Sequence, residues 1–399
     1  MTLPFEGIRV LDWSCFQQGP TTSVLLADMG ADVIKIEPPE GEPARGLLRI
    51  LGLEMPVDFY YTNQNRGKRG IVLDFSKEAA REVLYKLVAK ADVFVTNYRY
   101  IVAKNLKLDY ETVSKYNPKL IYVLSTGYGM RGPDADQPSA DFAGQARGGI
   151  CSITCTEDGT PLSVGAGLAD EMGGFCGAYA AVLGLLIRQR TGIGQLVEAS
   201  LLGGAIEIVR LWWQYYLMTG KTMPGCVFRN ANSPLWNLYR CQDDKWFVVS
   251  VSEPDKYWHQ FCEVLGIQKL ETDPKFKDAN VRSKHYDELM PQIREILRTK
   301  PREEWLDKFT KAGLTAAPVN EMADVVPDPQ AKAMGYVLDV TDPDHGKVTV
   351  PGIPVKLSKT PGKVTKLAHQ LGQHTEEVLM EVLGYSWEDI AKLREQGVY

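Results

Sequence analysis

Between Ile8 and Thr126 the chain switches repeatedly between two hydrophobic periods, and few folds accept such a pattern. Short apolar runs suited to buried strands occur at Ile8–Trp13, Ala31–Glu37, Arg69–Phe75, Asp92–Tyr98 and Leu120–Thr126. Helical periodicity fills the gaps at 20–29, Lys77–Ala89 and around Tyr110–Tyr116. Strands that alternate with helices imply a mostly parallel sheet covered on both faces. Such sheets collect their ligands at the carboxyl ends of the strands. A long helix over 169–190 follows, stopped by Thr191-Gly192-Ile193-Gly194, then a strand at Leu196–Ser200 and a second long helix through Met218. Composition shifts near Pro224-Gly225. A hairpin over Trp236–Ser252, turning at Asp243-Asp244, and several short helices then read as a smaller α+β domain. After Pro327 the pattern returns to strands (Tyr336–Val340, Val348–Val355) and a helix from Thr375. The expected organisation is a large Rossmann-like α/β domain over 1–218, a small domain over 219–326, and a segment 327–399 that returns to the large domain.

Other classes are excluded by composition. With 44% apolar residues in 399, a sizeable core can be buried without staples. The seven cysteines are odd in number and form no C-x-x-C, which reads as reduced thiols and a cytoplasmic protein. A formal charge of −5 gives no reason to expect nucleic acid or a membrane surface as partner. The N-terminus lacks a basic stretch followed by an apolar run, and the apolar segment Ala178–Ile187 is about half the length of a bilayer span. None of the five histidines precedes Trp258, so a site built from the first 250 residues works without imidazole unless a later one folds back. No G-x-G-x-x-G follows the first strand, where the turn reads Gln17-Gln18-Gly19-Pro20. A Walker loop, zinc-ligand spacing and a G-x-S-x-G elbow are also missing from the sequence.

Two features could carry chemistry. In Gly165-Ala166-Gly167-Leu168-Ala169-Asp170-Glu171-Met172-Gly173-Gly174, a glycine-bearing turn delivers an acid onto the start of a long helix. Asp170 then reads either as an N-cap or as a carboxylate nucleophile kept ionised by the helix macrodipole. For the second reading, Gly173 and Gly174 leave space for an acyl group. A carboxylate attacks thioesters competently because thiolate leaves readily, and free backbone N–H groups could hold the oxyanion. In Asn65-Arg66-Gly67-Lys68-Arg69, three cations in four residues read as a solvated loop or as a phosphate contact. Asn97-Tyr98-Arg99 ends an expected strand, where cofactors bind in α/β proteins.

Ten short motifs then place the chain beside a known family. They are G-I-R-V-L-D from Gly7, Q-G-P at Gln18, G-A-D-V-I-K-I-E-P-P from Gly30, N-R-G-K-R from Asn65 and D-V-F-V-T-N-Y from Asp92. The series continues with S-T-G-Y-G-M-R-G-P from Ser125, G-L-A-D from Gly167, R-T-G-I-G-Q from Arg190, Y-R-C-Q-D-D-K-W from Tyr239 and G-Q-H-T-E-E-V-L from Gly372. In this order, and over the whole chain, they resemble the family III CoA-transferases of the formyl-CoA transferase and carnitine CoA-transferase type. The resemblance implies that Asp170 is the nucleophile, passing through an aspartyl anhydride and an aspartyl thioester. It implies a coenzyme A site near Gln17, Pro38, Leu73, Phe75, Asn97, Tyr98 and Arg99, to which Gln18, Lys68 and Asp141 are added. Where relatives carry an arginine after their N-F-R-P-G segment this chain has Asn105, so Lys104 is expected to serve the phosphates instead. The F-R-P-G itself is replaced by Tyr98-Arg99-Tyr100-Ile101.

The resemblance also implies an interlocked dimer, of two identical chains or with a related one. Acyl-CoA and a carboxylic acid are the expected substrates, and because the thioester is conserved, neither a resident cofactor, nor ATP, nor a metal is expected. Two other readings share the fold. A 2-methylacyl-CoA racemase would carry a histidine immediately before an aspartate, where this chain has Ala140-Asp141. A silent partner subunit would not need the intact Asp170. The glycine loop of the formyl and oxalate enzymes is not evident, so oxalate is not the expected acceptor. Arg229–Pro234 and Pro138–Gly149 are most similar to the transferases of 2-hydroxy and aryl acids. The aromatic run Trp212, Trp213, Tyr215 and Tyr216 suits either a core or interface position or a large acyl pocket.

Overall fold

The computed structural model describes residues 2–53, 57–156, 158–222 and 233–399. Two compact units form: Met1–Ser152 with Leu162–Thr219 and Ala333–Tyr399, and Ile153–Pro161 with Gly220–Lys332.

The first unit is organised by a six-stranded sheet. Its strands are β1 (Arg9–Asp12), β2 (Asp32–Glu37), β3 (Arg69–Val72), β4 (Val93–Thr96), β5 (Ile121–Thr126) and β6 (Gln195–Ser200). All five pairings are parallel and the order is β3-β2-β1-β4-β5-β6. Parallel strands need crossovers, and the helical segments supply them: α1 (Gln18–Asp28), α2 (Phe59–Asn65), α3 (Glu78–Val88) and α4 (Tyr100–Asn105). In α3, Ala80, Val83, Leu84, Leu87 and Val88 are buried at the spacing of one helical face. In β5 every residue is buried, as expected of a strand covered on both faces. Chain order reverses between β1 and β4, so the loops leaving these two strands diverge and open a crevice.

Three further helices complete the walls of the crevice: α5 (Asp141–Gly148), α6 (Leu168–Thr191) and α7 (Leu201–Ile208). The buried side of α6 is a stripe of small residues, Ala169, Gly173, Gly174, Gly177, Ala178, Ala181 and Gly184. A Cβ on Gly174 would lie 2.6 Å from the Thr21 side chain and 2.9 Å from the Gln18 carbonyl, and one on Gly184 would lie 2.7 Å from Ile121. The helix therefore approaches α1 and β5 at backbone distance, and Thr22 Oγ1 donates to the Gly174 carbonyl at 3.1 Å. Its other side leaves Phe175, Tyr179, Val182, Leu183, Leu186 and Ile187 exposed. By length and composition alone this 24-residue helix could cross a membrane, because alanines and glycines extend the apolar run beyond Ala178–Ile187. The helix expected to run on through Met218 is broken at Val209, whose φ of −101° and ψ of 14° leave the helical range, giving α7 and α8 (Arg210–Thr219). No residue of α8 is buried; Trp213 is 42% and Tyr216 49% exposed, so the aromatic run is not core of this chain.

The second unit packs the hairpin β7 (Trp236–Arg240) and β8 (Trp246–Ser250), with β9 (Ala316–Pro318), against three longer helices, α9 (Trp258–Leu265), α10 (Tyr286–Leu297) and α11 (Arg302–Lys311). Arg229–Asn232, singled out in the sequence, lies outside the described residues. Back in the first unit, β10 (Val337–Asp342) pairs antiparallel with β11 (Gly346–Pro351). The closing helices α12 (Thr375–Leu383) and α13 (Trp387–Glu395) add Val378, Leu379 and Ile390 to the core of the large sheet.

Candidate active site

At the reversal between β1 and β4 lies a cavity of about 510 Å³. It brings together six of the residues singled out in the sequence: Gln17, Gln18, Asn97, Arg99, Asp141 and Asp170. Phe16, Tyr60, Ser139, Phe142 and Leu201 line it as well.

The loop after β1 is held by side chains. Lys35 Nζ donates to the Ser14 carbonyl at 2.6 Å. Asn97 accepts from the Cys15 N–H at 2.9 Å and donates to the Cys15 carbonyl at 2.8 Å, so both ends of its amide clamp the loop. Glu42 accepts from the Phe16 N–H at 2.8 Å. These clamps hold Phe16 at φ +58°, a left-handed conformation rarely adopted by a bulky residue. The turn directs Gln17 toward Asp170's neighbour: Gln17 Nε2 donates to Glu171 Oε1 at 2.8 Å, and Gln64 Nε2 donates to the same oxygen at 3.3 Å.

Behind the loop the three cations of Arg66-Gly67-Lys68-Arg69 are neither solvated nor directed at a ligand. Lys68 is fully buried and donates to Asp12 at 2.8 Å, Asn65 at 2.8 Å and the Pro20 carbonyl at 3.2 Å. Arg66 pairs with Asp28 at 2.6 Å and Arg69 with Asp32 at 2.7 Å. Burial opposes ionisation of Asp12, but Lys35 and Lys68 outweigh it and hold the carboxyl far below its usual range. Burial likewise brings Lys68 down to about 8. Lys68 is thus a structural counter-ion, and the phosphate role expected for it is corrected.

Asp170 is not the N-cap of α6. Gly167 holds that position in a left-handed conformation, φ 61°, with no side-chain cap. The left-handed backbone favours glycine there, and a Cβ would lie 2.6 Å from the Gln17 amide and displace it from Glu171. The cap comes from another helix. Asp141 Oδ1 accepts the N–H of Ala169 at 2.7 Å and of Asp170 at 3.1 Å. These amides are therefore occupied rather than free for an oxyanion. Nor is Asp170 kept ionised by the helix start: burial, then the charges of Asp141 and Glu171, push its carboxyl up to about 7, against a hydrogen bond from the Gln18 backbone. Burial and then Asp170 raise the Tyr60 phenol in turn. Gly173 and Gly174 leave no acyl space, since Gln18 and Thr21 fill it; a Cβ on Gly173 would lie 2.7 Å from Gln18 Nε2.

Of the remaining expected residues, Pro38 and Tyr98 line a second, more open cavity of about 760 Å³ with Arg45 and Arg49. Leu73 and Phe75 are 1% and 8% exposed and belong to the core under the sheet, so their side chains do not face a ligand. Lys104 is exposed on α4, its ammonium 5.0 Å from the Tyr100 ring centroid. Two late histidines do fold back, but not to this cavity. His374 accepts from the Gly70 N–H at 3.1 Å, and buried His369 sits between Arg45 and Tyr61, its imidazole lowered to about 3 by burial. Among the described lining residues there is no histidine, and Ala140 stands where a racemase would need one. Sequence reading missed Tyr60, Phe16 and Ser139. The Ser139 hydroxyl is buried without a hydrogen-bond partner among the described residues.

Comparison with known proteins shows the family and the fold. A sequence profile of "CoA-transferase family III" matches residues 5–375. An "Acetyl-CoA:oxalate CoA-transferase" from Acetobacter aceti is 34% identical over 360 residues, covering 89% of each chain. A "Succinyl-CoA--L-malate CoA-transferase beta subunit" from Chloroflexus aurantiacus is 32% identical, covering 100% of this chain and 98% of its own. The crystal structure of a "CAIB/BAIF family protein" from Brucella suis superposes with a TM-score of 0.86 at 30% identity, covering 96% of this chain and 100% of that one.

Proposed function

The chain belongs to CoA-transferase family III and is a CoA-transferase, and on that footing we propose that it moves coenzyme A from an acyl-CoA to a medium-sized carboxylic acid through Asp170. The observation that carries this reading is one half-buried carboxylate, pushed up to about 7, on a cavity at the topological reversal of the sheet. A carboxylate of raised basicity is a stronger nucleophile, and at neutral pH about half of it is ionised.

Each step balances without a net proton. A carboxylate oxygen of Asp170 attacks the thioester carbonyl, the C–S bond breaks, and coenzyme A leaves as thiolate. The thiolate attacks the aspartyl carbonyl of the mixed anhydride, releasing the donor acid and leaving an aspartyl thioester. The acceptor carboxylate attacks that thioester, expelling thiolate and forming a second anhydride. Thiolate then attacks the acceptor's acyl carbonyl, and Asp170 is restored. In this reading the nucleotide end of coenzyme A occupies the cavity of Pro38 and Tyr98, where Arg49 supplies a cation and Arg45 is already held by Glu37 at 2.6 Å. Gln17, Gln18 and Arg99 face the reacting end.

The acceptor we favour is a 2-hydroxy or aryl acid. Phe16, Phe142 and Leu201 give the cavity apolar walls, Arg99 is the cation among its described lining residues, and one relative is named for L-malate, a 2-hydroxy acid. We further propose that a second chain, the same or related, covers the exposed apolar side of α6, since a contiguous apolar surface of this kind marks an interaction site. The test is a transfer assay with a panel of acyl-CoA donors and acids, read by chromatography of the CoA esters. Transfer to 2-hydroxy or aryl acids, lost in Asp170→Ala, supports the reading. Exchange confined to formate, oxalate and acetate overturns the acceptor class.

A further inference from the structure

We propose that Asp141 is the positioning residue that prepares Asp170 for attack, by capping the start of α6 in its place and facing it with a second negative charge. This rests on the reading of Asp170 as nucleophile.

A carboxylate in the first turn of a helix normally accepts that turn's orphan N–H groups and gains from the macrodipole, which makes it a weak base. Here those donors are already occupied. Asp141 Oδ1 takes the Ala169 and Asp170 amides, while Gln145 Nε2 donates to Asp141 Oδ2 at 2.6 Å. Gln145 is fully buried and is itself fixed: its Nε2 donates to the Val164 carbonyl at 2.9 Å and its Oε1 accepts the Val164 N–H at 2.9 Å. The helices are locked together by Gly144, where a Cβ would lie 3.0 Å from both Ala169 and Leu201. Asp141 thus has three donors and a rigid mount.

Asp170 receives the complement of this arrangement. Its side chain is left with the Gln18 backbone as hydrogen-bond donor, and it faces the negative charges of Asp141 on α5 and Glu171 on its own helix. The Tyr60 phenol on α2 and the Arg99 guanidinium after β4 line the same cavity. Two carboxylates with opposite surroundings divide the work: one is taken up as a structural cap, the other becomes basic enough to attack. The sequence hid this because the capping acid lies 28 and 29 residues before the amides it caps.

The experiment measures aspartyl acylation by trapping with hydroxylamine between pH 5 and 9, in the full chain, for wild type, Asp141→Asn and Asp141→Glu. Asparagine caps a helix as well as aspartate does, so Asp141→Asn keeps the cap through Oδ1 and removes the charge, but it sets its Nδ2 against the Gln145 Nε2 that donated to Oδ2. The acid limb of this variant is expected about one pH unit below the wild-type limb, with a lower plateau. The moved limb reads the charge, and the lower plateau reads the lost hydrogen bond. Asp141→Glu, which keeps the charge, is expected to keep the limb in place. A plateau that falls at every pH with an unmoved limb would show a merely structural role and overturn the proposal. So would a wild-type limb in the ordinary carboxylate range, which requires no variant to fold. Absence of any hydroxamate on Asp170 in wild type refutes the nucleophile reading itself; a hydroxamate there with an unmoved limb in Asp141→Asn refutes this inference alone.

Discussion

Asp170→Asn is expected to abolish transfer and, at the same time, to stabilise the fold as pH rises. The folded carboxyl sits at about 7 against an ordinary 3.8. Between these values the folded chain holds a proton that the unfolded chain has lost, so raising the pH draws the equilibrium toward the unfolded state. A difference of roughly three units at about 1.4 kcal/mol each gives a loss of about 4 kcal/mol, accumulated from pH 4 to pH 7 and constant above. Asparagine keeps the shape and the acceptor for the Gln18 backbone but has no charge to bury. The variant should match wild type at pH 4, gain steadily to about pH 7 and hold that gain at pH 8. With an unfolding entropy of about 2.1 cal/mol/K per residue, the gain at pH 8 corresponds to a midpoint about 5 °C higher. Thermal melts at pH 5 and pH 8 read this directly. An Asp170→Asn chain that melts at or below wild type at pH 8, or with an offset independent of pH, would refute the assignment of strain to this carboxylate.

Two further substitutions test the walls of the site. Lys68→Met leaves Asp12 buried beside Lys35 alone, 4.0 Å away, and should lower stability by about 3–5 kcal/mol; a coenzyme A contact would instead raise KM with an unchanged melting midpoint. Gly174→Ala places a methyl 2.6 Å from Thr21 and 2.9 Å from the immobile Gln18 carbonyl, so overpacking of about 1–3 kcal/mol should exceed the helix gain of about 1 kcal/mol and lower the melting midpoint. Gly165→Ala, with open space around it, is the control.

What could be read from the sequence follows the range of the forces involved. Strand and helix positions in the first unit were legible because each element reports its own burial pattern: β5 is buried throughout, and α3 shows one clean face. The break at Val209 was not, since Leu201–Thr219 is apolar on both sides of it and no proline or glycine marks it. Asp170 was conspicuous among its glycines, yet those glycines were misread. Their role is set by Gln18 and Thr21, some 150 residues away, and they admit a helix rather than an acyl group. Lys68 was misread for the same reason: a charge near a loop carries no sign of whether it points in or out, and the Asp12 that draws it inward lies 56 residues earlier. Tyr60 had no signal at all, because no spacing links α2 to the start of α6.

The central claim is a covalent bond to Asp170, and intact-protein mass spectrometry after incubation with acyl-CoA donors, followed by hydroxylamine and peptide mapping, tests it most directly. A hydroxamate on Asp170, absent without donor and absent from Asp170→Asn, is the predicted result. Transfer that proceeds with Asp170 unmodified, or with the hydroxamate on a different side chain, would contradict it.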